Sequence, residues 1–270
     1  MKPFTLNDHH TMPAIGFGMW QIKHRADCLA AVQSALTAGY RHFDTAQVYG
    51  NEAYLGEALE LAKISRHDVS ITTKIANANQ YWQDVVPSFD QSLQRLRTDY
   101  VDLLLLHSPV TDLRGPAWQE LEKIHASGRA KSIGVSNYTI RHLTELLAES
   151  KCIPAVNQVE LHVYLQQPEL VKFCHRHNIV VEAYSPLAHA HGLDSPVLAD
   201  IAKKHHKSPA QIMIRWCLDV GTAPLPKSAH PDRIKQNLDV FDFRLDADDL
   251  ARIKPLDRDL RTAWDPTHIA

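Results

Sequence analysis

Asp44, Tyr49, Lys74 and His107 carry side chains that together can manage a proton. Lys74 closes the apolar run Val69-Ser70-Ile71-Thr72-Thr73, and His107 closes the run from Val101 to Leu106. Asp44 ends the shorter run Arg41-His42-Phe43, with Tyr49 one loop later. A charge or imidazole at the end of a buried strand is costly unless it is paired. Free tyrosine has a pKa of about 10. An ammonium in hydrogen-bond reach favours the phenolate and lowers that value. Asp44 would keep Lys74 charged against desolvation. His107 would place a carbonyl oxygen near Tyr49 and stabilise the negative charge developing on it. This is equipment for reducing a carbonyl without a metal.

Each residue also has a plainer role. Asp44 can cap the next helix, and Tyr49 can be an ordinary rim aromatic. His107 can be a hydrogen-bonded core histidine. Lys74 can form a Schiff base, as barrel aldolases do. The joint reading gains from placement on successive strands.

The elements that must position these groups are legible. Apolar strands are expected at Ala14–Phe17, Arg41–Asp44, Val69–Lys74, Val101–His107, Lys131–Val135, Ala155–Glu160, Ile179–Tyr184 and Ala223–Leu225. Helical spacing recurs between them: Leu29, Val32 and Leu36; Val86, Phe89, Leu93 and Leu96; Trp118, Leu121 and His125; Ile140, Leu143 and Leu147. Gly39, Gly128 and Asn178 precede the next strands, where left-handed helix caps are expected. Strands separated by helices pair in parallel, because parallel neighbours need crossovers. Eight of them at even spacing favour a single closed (β/α)8 TIM barrel, an α/β fold, over an open sheet. Gly16-Phe17-Gly18 lacks the third glycine of a dinucleotide-binding fingerprint. Phe4, Leu6 and Met12 suggest a short N-terminal hairpin closing the barrel's bottom. Without linker or repeat, residues 1–270 read as one domain.

In such a barrel, sites gather at the C-terminal strand ends. Asp44, Lys74 and His107 end strands there, and Ser136-Asn137, Gln158, Tyr184-Ser185 and Lys227-Ser228 fall at the same rim. Chance would scatter polar groups over both ends.

Composition excludes several classes. Lysine plus arginine, 29, against aspartate plus glutamate, 31, gives a net charge of −2, with no basic excess for nucleic acid. The apolar run from Leu103 to Leu106 is too short to span a membrane, and the N-terminus lacks a signal-peptide stretch. Cys28, Cys152, Cys174 and Cys217 form no C-x-x-C pair, the pattern of reduced thiols in a cytoplasmic protein. His9-His10, His175 with His177, His189 with His191, and His205-His206 lack a repeating ligand spacing. They read as solvated histidines rather than a metal site.

The chain resembles the aldo-keto reductase family from about Met12 to Asp257. The motifs that carry the likeness are Gly39-Tyr40-Arg41-His42-Phe43-Asp44-Thr45-Ala46 with Tyr49 and Gly50-Asn51-Glu52, Ile71-Thr72-Thr73-Lys74, and Tyr100-Val101-Asp102-Leu103 through His107-Ser108-Pro109. Ile133 to Asn137, Asn157 to Glu160, Tyr184 to Leu187, and Pro226-Lys227-Ser228 with Arg233-Ile234 and Asn237 follow in the family's order. The resemblance implies a catalytic tetrad of Asp44, Tyr49, Lys74 and His107, with Tyr49 as general acid. It implies NADPH extended across the barrel mouth. Ser136, Asn137 and Gln158 would hold the carboxamide, Tyr184 would stack on the nicotinamide, and Ser185 to Leu187 would line the pyrophosphate. Lys227, Ser228 and Arg233 would receive the 2′-phosphate, and Gln236 and Asn237 the adenine. Two cations and a hydroxyl suit a phosphate dianion better than a bare ribose, which favours NADPH over NADH.

Trp20, Tyr49 and His107 are expected at the substrate, with Trp82, Trp118 and Trp264 as further rim candidates. Many eukaryotic members have tryptophan where Ser108 stands, and both the loop from Ser108 to Pro116 and the tail after Asp257 are short. Both features imply a wider pocket, as in the short bacterial diketogluconate and methylglyoxal reductase branch. Polar aldehydes and α-dicarbonyls are expected over steroids, and a monomer over an assembly. Some members serve instead as NADPH-binding or structural proteins, a role that does not require an intact tetrad.

Overall fold

The computed structural model describes residues 2–270. A small antiparallel hairpin, β1 (Phe4–Thr5) and β2 (Thr11–Met12), comes first. Then strands and helices alternate: β3 (Phe17–Gly18), α1 (Arg25–Ala38), β4 (His42–Asp44), α2 (Glu52–Leu61), β5 (Ser70–Ile75), α3 (Trp82–Leu96) and β6 (Val101–Leu106). The chain continues through α4 (Arg114–Ala126), β7 (Ala130–Ser136), α5 (Ile140–Glu149), β8 (Val156–Glu160), α6 (Pro168–Arg176) and β9 (Val180–Tyr184). Two helices, α7 (Pro196–His205) and α8 (Pro209–Asp219), lead to β10 (Ala223–Leu225), and α9 (Pro231–Leu238) and α10 (Ala247–Ile253) follow.

Strands β3 to β10 form one parallel sheet in sequence order. Gly16 N–H donates to Pro224 O at 3.0 Å and Gly18 N–H to Pro226 O at 3.1 Å, bringing the first barrel strand against the last. These glycines exist for that approach. A Cβ on Gly16 would sit 2.5 Å from Leu225 Cδ2, and one on Gly18 would sit 3.0 Å from Leu225 O. Gly39, Gly128 and Asn178 adopt left-handed φ values of 111°, 77° and 56°, as the cap reading expects.

Strand parity sorts the side chains into an inside and an outside, because successive residues point to opposite faces. Leu104 and Leu106 of β6 pack outward with the helices, while Leu103 and Leu105 join Leu6, Met12, Ala155, Val156 and Ala223 in a separate cluster. The hairpin thus plugs the bottom of the barrel with apolar side chains. The same alternation turns Phe43, Ile71 and Ile75 outward. It leaves His42, Asp44, Thr72 and Lys74 for the interior.

The helical stripes differ in detail from their expected positions. Val85 and Leu146 are fully or nearly fully buried, whereas Val86 and Leu147 are half-buried and Ile140 is exposed. Helix α5 starts at Ile140, on a capping box between Thr139 and His142, so that residue lies at the frayed end of the stripe. At the bottom of β6, Asp102 accepts from Ile71 N at 3.0 Å, Arg66 Nη2 at 2.7 Å and Lys131 Nζ at 3.0 Å. Polar groups therefore occur at both barrel ends, and those at the bottom tie strands together. No helix among the described residues is long and apolar enough to cross a membrane.

Candidate active site

Asp44 is the last residue of β4, Lys74 the penultimate residue of β5, and His107 the first residue after β6. Tyr49 ends a single 3-10 turn over Gln47–Tyr49. Gln47 secures that turn by donating to Ser88 O and accepting from Ala76 N, at 3.1 and 2.8 Å. The four side chains converge. Lys74 is fully buried and donates to Asp44 Oδ1 at 2.7 Å and Oδ2 at 2.8 Å, to Thr45 O at 2.9 Å and to Tyr49 Oη at 3.3 Å. An ammonium has three hydrogens, and those partners take all of them. The rings of Tyr49 and His107 meet edge to face with centroids 5.7 Å apart.

Burial and charge set the protonation states. Burial opposes the charge on Lys74, but Asp44 and Tyr49 outweigh it and raise its pKa above the ordinary value. Burial raises the Tyr49 phenol, and the pull of Lys74 in the other direction is the smaller effect. The lowered phenol expected from the sequence is therefore corrected: desolvation, which depends on depth in the barrel, wins. His107 is pushed down to about 3, first by burial and then by Lys74, so its ring is neutral. Its Nδ1 is buried without a partner. Asp44 caps no helix.

One cavity of about 1250 Å³ covers the barrel mouth. Asp44, Tyr49 and His107 line it, and Lys74 lies beneath. Ser136, Asn137, Gln158, Tyr184, Ser185, Leu187, Lys227, Ser228, Arg233, Gln236 and Asn237 line it too, as does Trp20. Tyr184 Oη donates to Asn137 Oδ1 at 2.8 Å, which pins the tyrosine ring. Asn137 Nδ2 donates to His107 O at 2.9 Å, and Ser136 Oγ donates to Gln158 O at 2.9 Å. Lys227 and Arg233 are exposed cations flanking the buried Ser228. Of the further rim candidates, Trp264 lines the cavity, whereas Trp118 is 1% exposed within the core and Trp82 is exposed at the start of α3. Trp118 belongs to α4 and lies on its buried face with Ala117, Leu121 and Ile124.

Several participants escaped the sequence reading. Glu182 and His42 lie fully buried below the tetrad. Burial and the Asp44 charge raise the Glu182 carboxyl to about 8, and burial lowers His42 to about 4. His42 Nε2 and Glu182 Oε1, 3.7 Å apart, therefore form a contact of two neutral groups rather than an ion pair. The signal was present: Glu182 follows the apolar run Ile179-Val180-Val181 as Lys74 follows its own. Glu160 is a second case. Its carboxylate accepts from Thr262 N at 2.7 Å, Thr262 Oγ1 at 2.5 Å and Ala263 N at 3.2 Å, which holds the tail at the mouth. No local signal marks that pairing across the chain. His189 meets Trp20 edge to face at 5.5 Å, and His205 pairs with Asp249 at 2.7 Å, so these two histidines are engaged rather than merely solvated.

A profile of the aldo/keto reductase family matches residues 14–258. Methylglyoxal reductase DkgA of Escherichia coli (strain K12) is 42% identical over 265 residues, which cover 97% of this chain and 95% of that protein. Glyoxal reductase of Bacillus subtilis (strain 168) is 39% identical over 258 residues, covering 96% and 94%. Among solved structures, the aldo-keto reductase of Bombyx mori in complex with NADP superposes with a TM-score of 0.93 at 32% identity, covering 100% of this chain and 99% of that one. The chain belongs to the aldo-keto reductase family, whose members are oxidoreductases that use NADP(H).

Proposed function

We propose that this protein reduces small polar aldehydes, ketones and α-dicarbonyls to alcohols with NADPH, and that Tyr49 is the general acid. The observation that carries the reading is the saturation of Lys74. Its three N–H groups go to Asp44, Thr45 O and Tyr49 Oη, so the phenol accepts from below and keeps its own proton for the cavity. A raised phenol remains protonated at neutral pH, the form a donor needs. The same saturation speaks against a Schiff base, which requires a free amine able to reach a carbonyl carbon.

Bound NADPH supplies the hydride. The residues of this chain orient and protonate. His107, neutral, has Nδ1 buried without a partner, and a buried orphan acceptor costs less than a buried orphan N–H. We therefore assign the proton to Nε2, from which His107 donates to the substrate carbonyl oxygen beside Tyr49. Tyr184, pinned by Asn137, offers its ring to the nicotinamide, and Ser136, Asn137 and Gln158 border the carboxamide. Ser185 and Leu187 border the pyrophosphate, Lys227, Ser228 and Arg233 take the 2′-phosphate, and Gln236 and Asn237 border the adenine. Gly18 keeps that wall open, since a Cβ there would meet Leu225 O at 3.0 Å and Lys227 Cβ at 3.7 Å. Trp20 and Trp264 offer flat apolar walls at the cavity edge. The free thiols of all four cysteines suit a cytoplasmic protein.

Tyr49→Phe tests the acid. NADPH binding should stay within about two-fold, while kcat for methylglyoxal falls by about a hundred-fold or more. Retained turnover would remove Tyr49 from the role. NADPH binding by the unaltered protein with no turnover of any aldehyde would favour a cofactor-binding subunit instead.

A further inference from the structure

Gln158 donates twice and downward. Its Nε2 gives one hydrogen to Asp44 Oδ2 at 2.8 Å and the other to Glu182 Oε2 at 2.9 Å. An amide nitrogen has two hydrogens, so nothing of that group is left for a ligand. Gln158 nevertheless lines the cavity, and a molecule approaching it there meets the carbonyl oxygen, an acceptor. The opposite rotamer would set that oxygen against Asp44 and would leave Glu182 without a donor. One anchor lets the amide turn about a single hydrogen bond; two anchors fix its plane. Asp44 is committed to Lys74, whereas Glu182 does not line the cavity.

We propose that Glu182 is a positioning residue, which with Asp44 locks the Gln158 amide so that its oxygen faces the cavity and accepts an N–H from the cofactor's carboxamide. The inference deepens the cofactor placement proposed above and rests on it. The fold supports it through strand register: Gln158 in β8 lies directly opposite Glu182 in β9, both with interior parity. Charge permits it as well. Asp44, Lys74 and His42 face Glu182, and a neutral Glu182 sits near Asp44 without like-charge repulsion.

The test compares two oxidised cofactors by tryptophan fluorescence titration. One is NADP⁺; the other is its 3-acetylpyridine analogue, which keeps the carbonyl and lacks the amide N–H. The unaltered protein should prefer NADP⁺ by about ten-fold, the weight of one hydrogen bond. In Glu182→Met, which keeps the length but removes the acceptor, the preference should shrink to about two-fold. Glu182→Gln retains an acceptor and should restore it. An undiminished preference in Glu182→Met overturns the role of Glu182 while leaving the cofactor placement standing. No preference in the unaltered protein overturns both. Glu182→Thr, too short to reach Gln158, gives the same readout if the methionine variant does not fold.

Discussion

Desolvation at the cavity wall, where Tyr49 is half-buried, keeps the proton on its phenol despite the cation beside it. Lys74 lies 3.3 Å away and pulls the phenol down, yet burial pulls harder in the other direction. Desolvation acts on its neighbours with calculable sign. Glu182 titrates near 8 in the fold against 4.5 for the free group, so between those values the folded chain holds a proton that the unfolded chain has lost. Stability from this group is full below about 4.5 and falls as pH rises toward 8. His42, moved from 6.5 to about 4, and His107, moved from 6.5 to about 3, act oppositely. The unfolded chain binds their protons first, so stability is lost as pH falls below about 6.5. The clean window for Glu182 is therefore pH 6.5 to 8. There it contributes a decline of up to about 1.4 kcal/mol per pH unit. Urea unfolding across that window should show the decline in the unaltered protein and a flatter curve in Glu182→Gln. Equal slopes would mean that another group binds the proton.

At the scale of elements, the site depends on helices holding strands in register. Helix α2 crosses α3 so closely that a Cβ on Gly56 would lie 2.7 Å from the Arg95 carbonyl oxygen and from Leu96 backbone atoms. Glu52, at the start of α2, accepts from Thr73 Oγ1 at 2.5 Å and from Arg95 Nε at 2.7 Å, tying that helix to β5 beside Lys74. Gly56→Ala must force the two helices apart, which costs about 1 to 3 kcal/mol. An unchanged urea midpoint would show that α2 slides freely. Helix α9 carries the other decisive element, since it presents Arg233 at the cavity. Arg233→Ala should weaken NADPH by about ten-fold or more and leave NADH within about two-fold, because only the former has a 2′-phosphate. Equal losses for the two cofactors would place Arg233 away from that group.

At the scale of the molecule, the tail returns across the barrel mouth. Residues Thr262 and Ala263 hang on Glu160, a residue of β8, and the carbonyl of Ile269 is held by Arg141 and His142 of α5. Trp264, between these attachments, lines the cavity. Glu160→Ala removes three acceptor contacts to the tail and should raise the KM for aldehyde several-fold with kcat and NADPH affinity within about two-fold. Loss of kcat in the same proportion as KM rises would instead show that Glu160 supports the chemistry itself.

The sequence by itself determined the barrel and placed Asp44, Tyr49, Lys74 and His107 together at its mouth. Strand parity, strand ends and helix caps are local properties, and each is written in runs of a few residues such as Val101 to Leu106 or at single positions such as Gly39. The motif likeness across the barrel named the lining residues, which the fold then gathers around one cavity. The tertiary structure alone decided the energies and the distant pairs. Whether Tyr49 is raised or lowered depends on the balance of desolvation against one cation, a quantity of depth and distance. Trp118 and Trp264 look alike in sequence, yet one lies on the buried face of α4 and the other reaches the mouth on a tail held from across the chain. The two hydrogen bonds that orient Gln158 also depend on barrel closure. They bring together Asp44 and Glu182, residues from strands far apart in sequence, on one amide nitrogen.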